Sequence, residues 1–185
     1  WTGGSGSYVP NSNTLNAVYT PSNGEINNGF VTLTLTSTGN GSCTAVTDQV
    51  TYTFGPSPTA DAGVNQTLCS NNAVVSLAGL VTIATGGTWS GGLGTYSPNA
   101  NALNALYTPS AAEITSGSVT LTLTTTGNGD CSAVTDQVTF NFTPSPTANA
   151  GSDRTVCANA PEVALSGSIS IATGGQWSGG TGAFT

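Results

Sequence analysis

Cys43, Cys69, Cys131 and Cys157 are the side chains best suited to covalent chemistry in this 185-residue chain. Thiols bind metals, act as nucleophiles or oxidise to disulfides. The chain has no histidine, and its single cation is Arg154, so a cysteine nucleophile would lack a neighbouring base. No two cysteines stand in C-x-x-C spacing, whereas zinc sites use paired ligands at short intervals. Disulfide formation remains, and it implies an oxidising, extracellular setting. Serine and threonine hydroxyls are abundant but equally lack a base. A carboxylate pair such as Glu113 with Asp130 has no motif around it. No catalytic residue, metal or cofactor is expected, and the chain is not expected to be an enzyme.

Carboxylates are few. Asp61, Asp130, Asp136 and Glu113 could offer oxygen ligands to calcium, yet no dense D-x-D-x-D loop surrounds them. The simpler expectation is that they cap backbone N–H groups. Asp136 recurs as Asp48 within Thr-Asp-Gln-Val, which suggests a fixed structural duty. The net charge of −7 gives no electrostatic basis for binding nucleic acid or an anionic membrane surface. No apolar run approaches the roughly 18 residues needed to span a bilayer.

The spacing of these residues reveals the organisation of the chain. Trp1, Trp89 and Trp177 recur 88 residues apart, as do Cys43 and Cys131, and Cys69 and Cys157. CTAVTDQVTYTF at 43–54 matches CSAVTDQVTFNF at 131–142 at 9 of 12 positions. A period of this length suits an independently folding domain better than a solenoid unit of about 20–50 residues. Residues 1–58 read as the C-terminal part of one repeat, 59–146 as a complete repeat and 147–185 as the N-terminal part of the next. The chain thus looks like a window on a longer array.

Within 59–146, period-2 alternation predicts strands near 62–68, 74–79, 87–90, 95–97, 102–108, 118–126 and 134–142. In 118–126, Val119, Leu121 and Leu123 face one way while Thr120, Thr122 and Thr124 face the other. Residues 109–117 form a corner with room for one helical turn, and Gly127-Asn128-Gly129-Asp130 a hairpin loop. The expected fold class is all-β: tandem immunoglobulin-like, Greek-key β-sandwiches arranged end to end. Trp89, set among glycines, is expected in the core; an exposed platform for stacking sugars is the alternative. Tyr107 is expected as a core, corner tyrosine.

If the first and last strands run parallel, as in immunoglobulin-like sandwiches, Cys69 and Cys131 are expected at the same end, joined by a disulfide. Cys43 and Cys157 would then pair outside the window. The competing pairing is Cys43–Cys69 across a domain joint. Pro56 and Pro58, and Pro144 and Pro146, occupy equivalent phases and predict short, semi-rigid linkers. Three N-x-S/T sequons, at Asn40, Asn65 and Asn141, fall at non-equivalent phases and carry no expectation. The Thr face of 120–124 fits a solvent-facing strand better than an ice-binding surface.

The segments TANAGSDRTVC, ATGGTWSGG, YSPNANALNALYTPS, AAEITSGSVTLTLTTTGNGDC and TDQV resemble the immunoglobulin-like or PKD-like repeats of giant Bacteroidota surface adhesins, among them gliding-motility adhesins. The resemblance covers the whole chain. It implies type IX secretion, display on the outer cell surface, and contact with a substratum or surface polysaccharide, with gliding machinery as a partner. One departure concerns Trp89, which lies 20 residues beyond Cys69, so it need not cover a disulfide as in antibody domains. The function expected is a stalk or filament segment of a secreted adhesin, serving attachment and gliding, whose partners are neighbouring repeats. The alternatives are an array of carbohydrate-binding modules acting by avidity, and a self-assembling sheath or fibre.

Overall fold

A computed structural model describes residues 1–181. It is mostly β, with two short helices, and divides into two compact units, Trp1–Ser57 and Pro58–Thr185.

In the first unit, β1 (Ser7–Val9) pairs antiparallel with β2 (Val18–Thr20). The short helix α1 (Asn23–Asn28) follows. It starts at a capping box in which Ser22 and Glu25 satisfy each other's backbone N–H groups, and it stops at Gly29 in the left-handed region. β3 (Phe30–Thr36) then pairs with β4 (Thr47–Thr53), Phe30 facing Thr53 and Thr36 facing Thr47. Val31 and Leu33 turn inward and are buried. Among the described residues, no further strand pairs with the outer edge of β4.

In the second unit a four-stranded and a three-stranded sheet share one core. The chain enters through β5 (Thr59–Asp61), turns, and continues as β6 (Gln66–Cys69). The strand expected at 62–68 is therefore broken. The reason lies at Gly63, whose φ of +86° suits glycine and whose N–H donates to Oδ1 of Asp61 at 2.8 Å. β5 pairs antiparallel with β8 (Leu80–Thr82), while β6 joins the larger sheet. Next come β7 (Val75–Ser76), β9 (Gly86–Ser90), β10 (Thr95–Ser97) and β11 (Leu106–Thr108). The strand expected at 102–108 is shortened, because Ala105 N–H donates back to the Ala102 carbonyl and Asn101 N–H to Oδ1 of Asn99. Helix α2 (Ala111–Ser116) fills the corner before β12 (Ser118–Thr126) and β13 (Thr135–Thr143).

The larger sheet has the order β6-β13-β12-β9, antiparallel throughout except that β6 runs parallel to β13. The smaller has the order β10-β11-β7. Alternation on β12 and β13 turns Val119, Leu121, Leu123, Val138, Phe140 and Phe142 inward, against Val75, Leu77 and Tyr107 from the smaller sheet's side. Trp89 on β9 is 2% exposed, and its indole N–H donates to the Leu103 carbonyl at 3.2 Å. On the opposite face of β12 the threonines form a polar outer layer, with Thr120 and Thr139 hydroxyls 2.9 Å apart.

The registers of the two units correspond. Every β3–β4 pair, from Phe30–Thr53 to Thr36–Thr47, reappears 88 residues later in the β12–β13 ladder. Beyond the second ladder, β14 (Thr147–Asn149) pairs antiparallel with β15 (Ser168–Ser170). Around that pair Val156, Val163, Leu165, Ile169 and Trp177 are exposed.

Candidate functional site

The most densely bonded polar cluster is the corner between β11 and α2. Ser110 is the N-cap of α2 and Glu113 its third residue, so the sequence S-x-x-E forms a capping box. The helix is too short to hold its shape unaided; the carboxylate fixes it to the rest of the unit. Oε1 of Glu113 accepts from the Tyr107 hydroxyl at 2.6 Å and from Leu93 N–H at 2.7 Å. Oε2 accepts from Ser110 N–H at 2.7 Å and the Ser110 hydroxyl at 2.8 Å. The Tyr107 hydroxyl in turn accepts from Gly94 N–H at 2.9 Å. Close approach explains Gly92, where a Cβ would collide with that hydroxyl. Tyr96 packs on Tyr107 with ring centroids 4.9 Å apart and donates to the Gly91 carbonyl at 2.9 Å.

The electrostatics follow from this geometry. Burial pushes the Glu113 carboxyl up, but the hydrogen bonds from Tyr107, Ser110 and Leu93 outweigh it and hold the group below its ordinary value. Burial and the bond to Glu113 raise the Tyr107 phenol well above its ordinary value, with Gly94 N–H opposing. Both groups are held in their neutral-pH forms. A carboxylate offers about four lone-pair positions, and four donors occupy them here. Glu113 is left without a position for a substrate proton or a metal ion.

The same corner is built in the first unit. Tyr19 donates to Oε1 of Glu25 at 2.7 Å, Ser5 N–H to Oε1 at 2.7 Å and Ser22 N–H to Oε2 at 2.7 Å. Burial pushes Glu25 up, but bonds from Ser22, Tyr19 and Ser5 bring it down to about 2. The bond from Tyr107 was not anticipated, while the expectation that Glu113 caps backbone N–H groups agrees with its bonds from Ser110 N–H and Leu93 N–H. The signal that places it correctly was present in Ser110-x-x-Glu113 ahead of a glycine-terminated turn.

Two of the other singled-out carboxylates, Asp136 and Asp61, also serve the backbone. Asp136 accepts from Ala62 N–H at 2.8 Å, and that bond together with Gln137 N–H lowers its carboxyl below the ordinary value. Asp61 holds the Gly63 turn. Asp130 lies exposed in the loop between β12 and β13. Among the described residues, no group of three or more His, Cys, Asp or Glu side chains could hold a metal ion. Among the same described residues, no helix is long and apolar enough to cross a membrane. Pro56, Pro144 and Pro146 are exposed, while Pro58 is buried.

The expected Cys69–Cys131 bridge is corrected by the strand register. β6 and β13 do run parallel, with Cys69 beside Thr143 at the C-terminal end of β13. Parallel strands bring like ends together, and Cys131 precedes the opposite end of that strand. A strand of nine residues separates its ends by about 26 Å, whereas a disulfide needs Cα atoms within about 7 Å. Cys69 instead lies with Sγ 3.9 Å from the Pro144 carbonyl oxygen. The two cysteines occupy opposite poles.

No protein-family profile and no curated protein sequence matches the chain.

Proposed function

We propose that this chain is a structural segment of an extracellular filament or stalk, built from tandem immunoglobulin-like sandwiches that hold an adhesive region away from the cell surface. The reading rests chiefly on the parallel pairing of β6 with β13. Ala62, where the chain enters, is bonded to Asp136 near the start of β13. The chain leaves after Thr143, at the other end of the same strand. Entry and exit at opposite poles let successive domains follow one another in line rather than fold back. Prolines on either side, at 56, 58, 144 and 146, favour extended linkers.

Several other features agree. The aromatic residues best placed to stack on sugar, Trp89 and Tyr107, are spent on the core, and the most elaborate polar cluster is saturated by its own chain. A domain whose chemistry is directed inward suits a role in which length and persistence are the function. The resemblance to Bacteroidota surface adhesins supplies the setting: secretion, display on the outer surface, and attachment or gliding.

An antibody raised against residues 59–146 and coupled to beads tests the reading on living cells. Beads that bind and travel along the cell support a mobile adhesin, and beads that bind and remain in place a fixed stalk. Failure of accessible cells to bind any beads would overturn surface display.

A further inference from the structure

The hairpin loop between β12 and β13 holds an amide that its surroundings leave half satisfied. Asn128 donates from Nδ2 to the Thr125 carbonyl at 3.2 Å. That acceptor fixes the orientation of the amide, because only its NH2 end can face a carbonyl. Oδ1 is buried without a hydrogen-bond partner, the only such side-chain atom among the described residues, and buried acceptors are rarely left so. Next along the chain is Gly129, exposed, with φ of +61° and nothing within 4 Å of the place a Cβ would take. Its N–H donates in none of the described backbone bonds. A free backbone nitrogen thus stands one residue beyond a side-chain carbonyl carbon, the spacing that closes a five-membered ring.

The loop is built alike 88 residues earlier, between β3 and β4. Asn40 donates from Nδ2 to the Ser37 carbonyl at 3.1 Å, and Gly41 has φ of +62° with the same open space around it. The dipeptide at Asn28-Gly29 differs: Gly29 N–H donates to the Glu25 and Ile26 carbonyls, each at 3.1 Å, and its nitrogen is occupied. The neck of the second loop depends on the amide. Thr125 N–H donates to the Val134 carbonyl at 2.9 Å, and the Thr125 hydroxyl accepts from Val134 N–H at 3.0 Å. Asn128 holds the remaining polar group of Thr125, its carbonyl. Cys131 N–H then closes the loop onto the Asn128 carbonyl at 3.2 Å.

We propose that Asn128, and Asn40 with it, are sites of self-modification at which the side-chain amide becomes a carboxylate and the loop is released. The Gly129 nitrogen attacks Cγ of Asn128 and loses its proton to solvent. The Cγ–Nδ2 bond breaks, and Nδ2 takes a proton and leaves as ammonia. The cyclic imide takes up one water, which opens it at either carbonyl. The product is aspartate or, with the main chain rerouted through the side chain, isoaspartate. Water is the only co-reactant. Neither product fits the loop. A carboxylate has no donor for the Thr125 carbonyl, and an oxygen at the Oδ1 position would be a buried charge without a partner. Asp130 stands two residues on, and residues 59–146 contain no Lys or Arg to offset the added charge. Isoaspartate also lengthens the main chain and displaces the carbonyl that Cys131 N–H uses. The inference rests on the loop alone, not on the filament reading or on where the protein works.

Ageing the folded chain in mildly alkaline buffer under reducing conditions, followed by peptide mapping, reads the conversion. Asn128 is expected to show the mass change from amide to acid, with isoaspartate in excess over aspartate. Asn71, Asn72 and Asn104, exposed but not followed by glycine, are expected to convert at least an order of magnitude more slowly. Gly129→Asn keeps a residue that tolerates positive φ and has room for its side chain. It is expected to slow conversion at Asn128 by an order of magnitude, because the side chain hinders ring closure. Amide exchange at Thr125 and Val134 is expected to quicken by a similar factor in the aged chain. Asn128→Asp should reproduce that change in fresh protein, with exchange at Leu121 unaltered. Asn128 that stays intact in the folded chain but converts in urea overturns the modification. Unchanged exchange at Thr125 and Val134, in both the aged chain and the Asp variant, overturns the release of the loop.

Discussion

The Tyr107 hydroxyl donates to Oε1 of Glu113 at 2.6 Å, six residues along the chain, with both side chains withdrawn from solvent. The bond ties the end of β11 to the first turn of α2. Through Leu93 N–H and Gly94 N–H it also reaches the loop before β10. One carboxylate thus closes three chain segments around a corner, through one buried bond from Tyr107 and part-buried bonds from Leu93 and Ser110. The cluster holds the connection between the two sheets.

Replacing Glu113 by Gln should therefore cost more than one hydrogen bond. The amide nitrogen cannot accept from Ser110 N–H, and a part-buried donor is left facing another donor. Losses of about 1–3 kcal/mol are usual for such groups. Urea unfolding, followed by amide exchange in β12, is expected to show a lower midpoint with an unchanged slope. Wild-type stability for the Gln variant would remove the corner from the structural account.

The same bonds set a pH dependence. A carboxyl whose folded value is depressed contributes stability that is complete above its unfolded value and disappears as pH falls toward the folded one. For Glu25 the window runs from the ordinary 4.5 down to about 2, and Glu113 and Asp136 shift in the same direction. Tyr107 acts oppositely: its value is raised, so its contribution is present below pH 10 and lost as pH rises through the folded value. Denaturant midpoints should fall in acid and again in strong alkali. Tyr107→Phe is expected to lower stability at neutral pH and to remove this residue's part of the alkaline loss.

Ile83 has φ of +65°, a conformation that β-branched residues strongly avoid. Ala84 N–H donates across it to the Thr82 carbonyl at 2.7 Å, closing a tight turn after β8. The same strained isoleucine returns at position 171. Such strain costs on the order of 1–3 kcal/mol, and the side chain is exposed, so little packing is lost with it. Ile83→Gly should raise the unfolding midpoint by an amount equivalent to roughly 1 kcal/mol, the flexibility of glycine offsetting part of the relief. A lower midpoint would mean that the exposed isoleucine has a packing role.

Mass mapping of non-reduced peptides checks the cysteine geometry directly. No Cys69–Cys131 linkage is expected from the folded chain, with or without a mild thiol oxidant. Its appearance in material that keeps native β12 protection would contradict the parallel β6–β13 register.

Much of this architecture can be read from sequence where the signal is local. The V-T-L-T-L-T alternation of residues 119–124 needs no partner to be recognised, and β12 spans Ser118–Thr126 as expected. The corner at 109–117 likewise announces a turn of helix. What escaped depends on distant groups. The turn at Gly63 follows Ala62, whose N–H is accepted by Asp136, 74 residues further along. The role of Glu113 depends on Leu93, in the loop before β10, and Tyr107, on β11, arriving from separate chain segments. For the cysteines, the parallel direction was read correctly; but the end of one strand was matched to the beginning of the other.

The parallel ladder between β6 and β13 has a further consequence when the chain is put under tension. Pulling on residues 58 and 144 drags the two strands past each other along their length. The pairs from Phe140–Gln66 to Thr143–Cys69 are then loaded in shear and must fail together. The antiparallel β12–β13 hairpin would unzip one bond at a time if it were pulled from its open end, but it sits behind that ladder. Rupture is governed by the height of the unfolding barrier rather than by equilibrium stability, so a modestly stable domain with this topology can still act as a mechanical clamp.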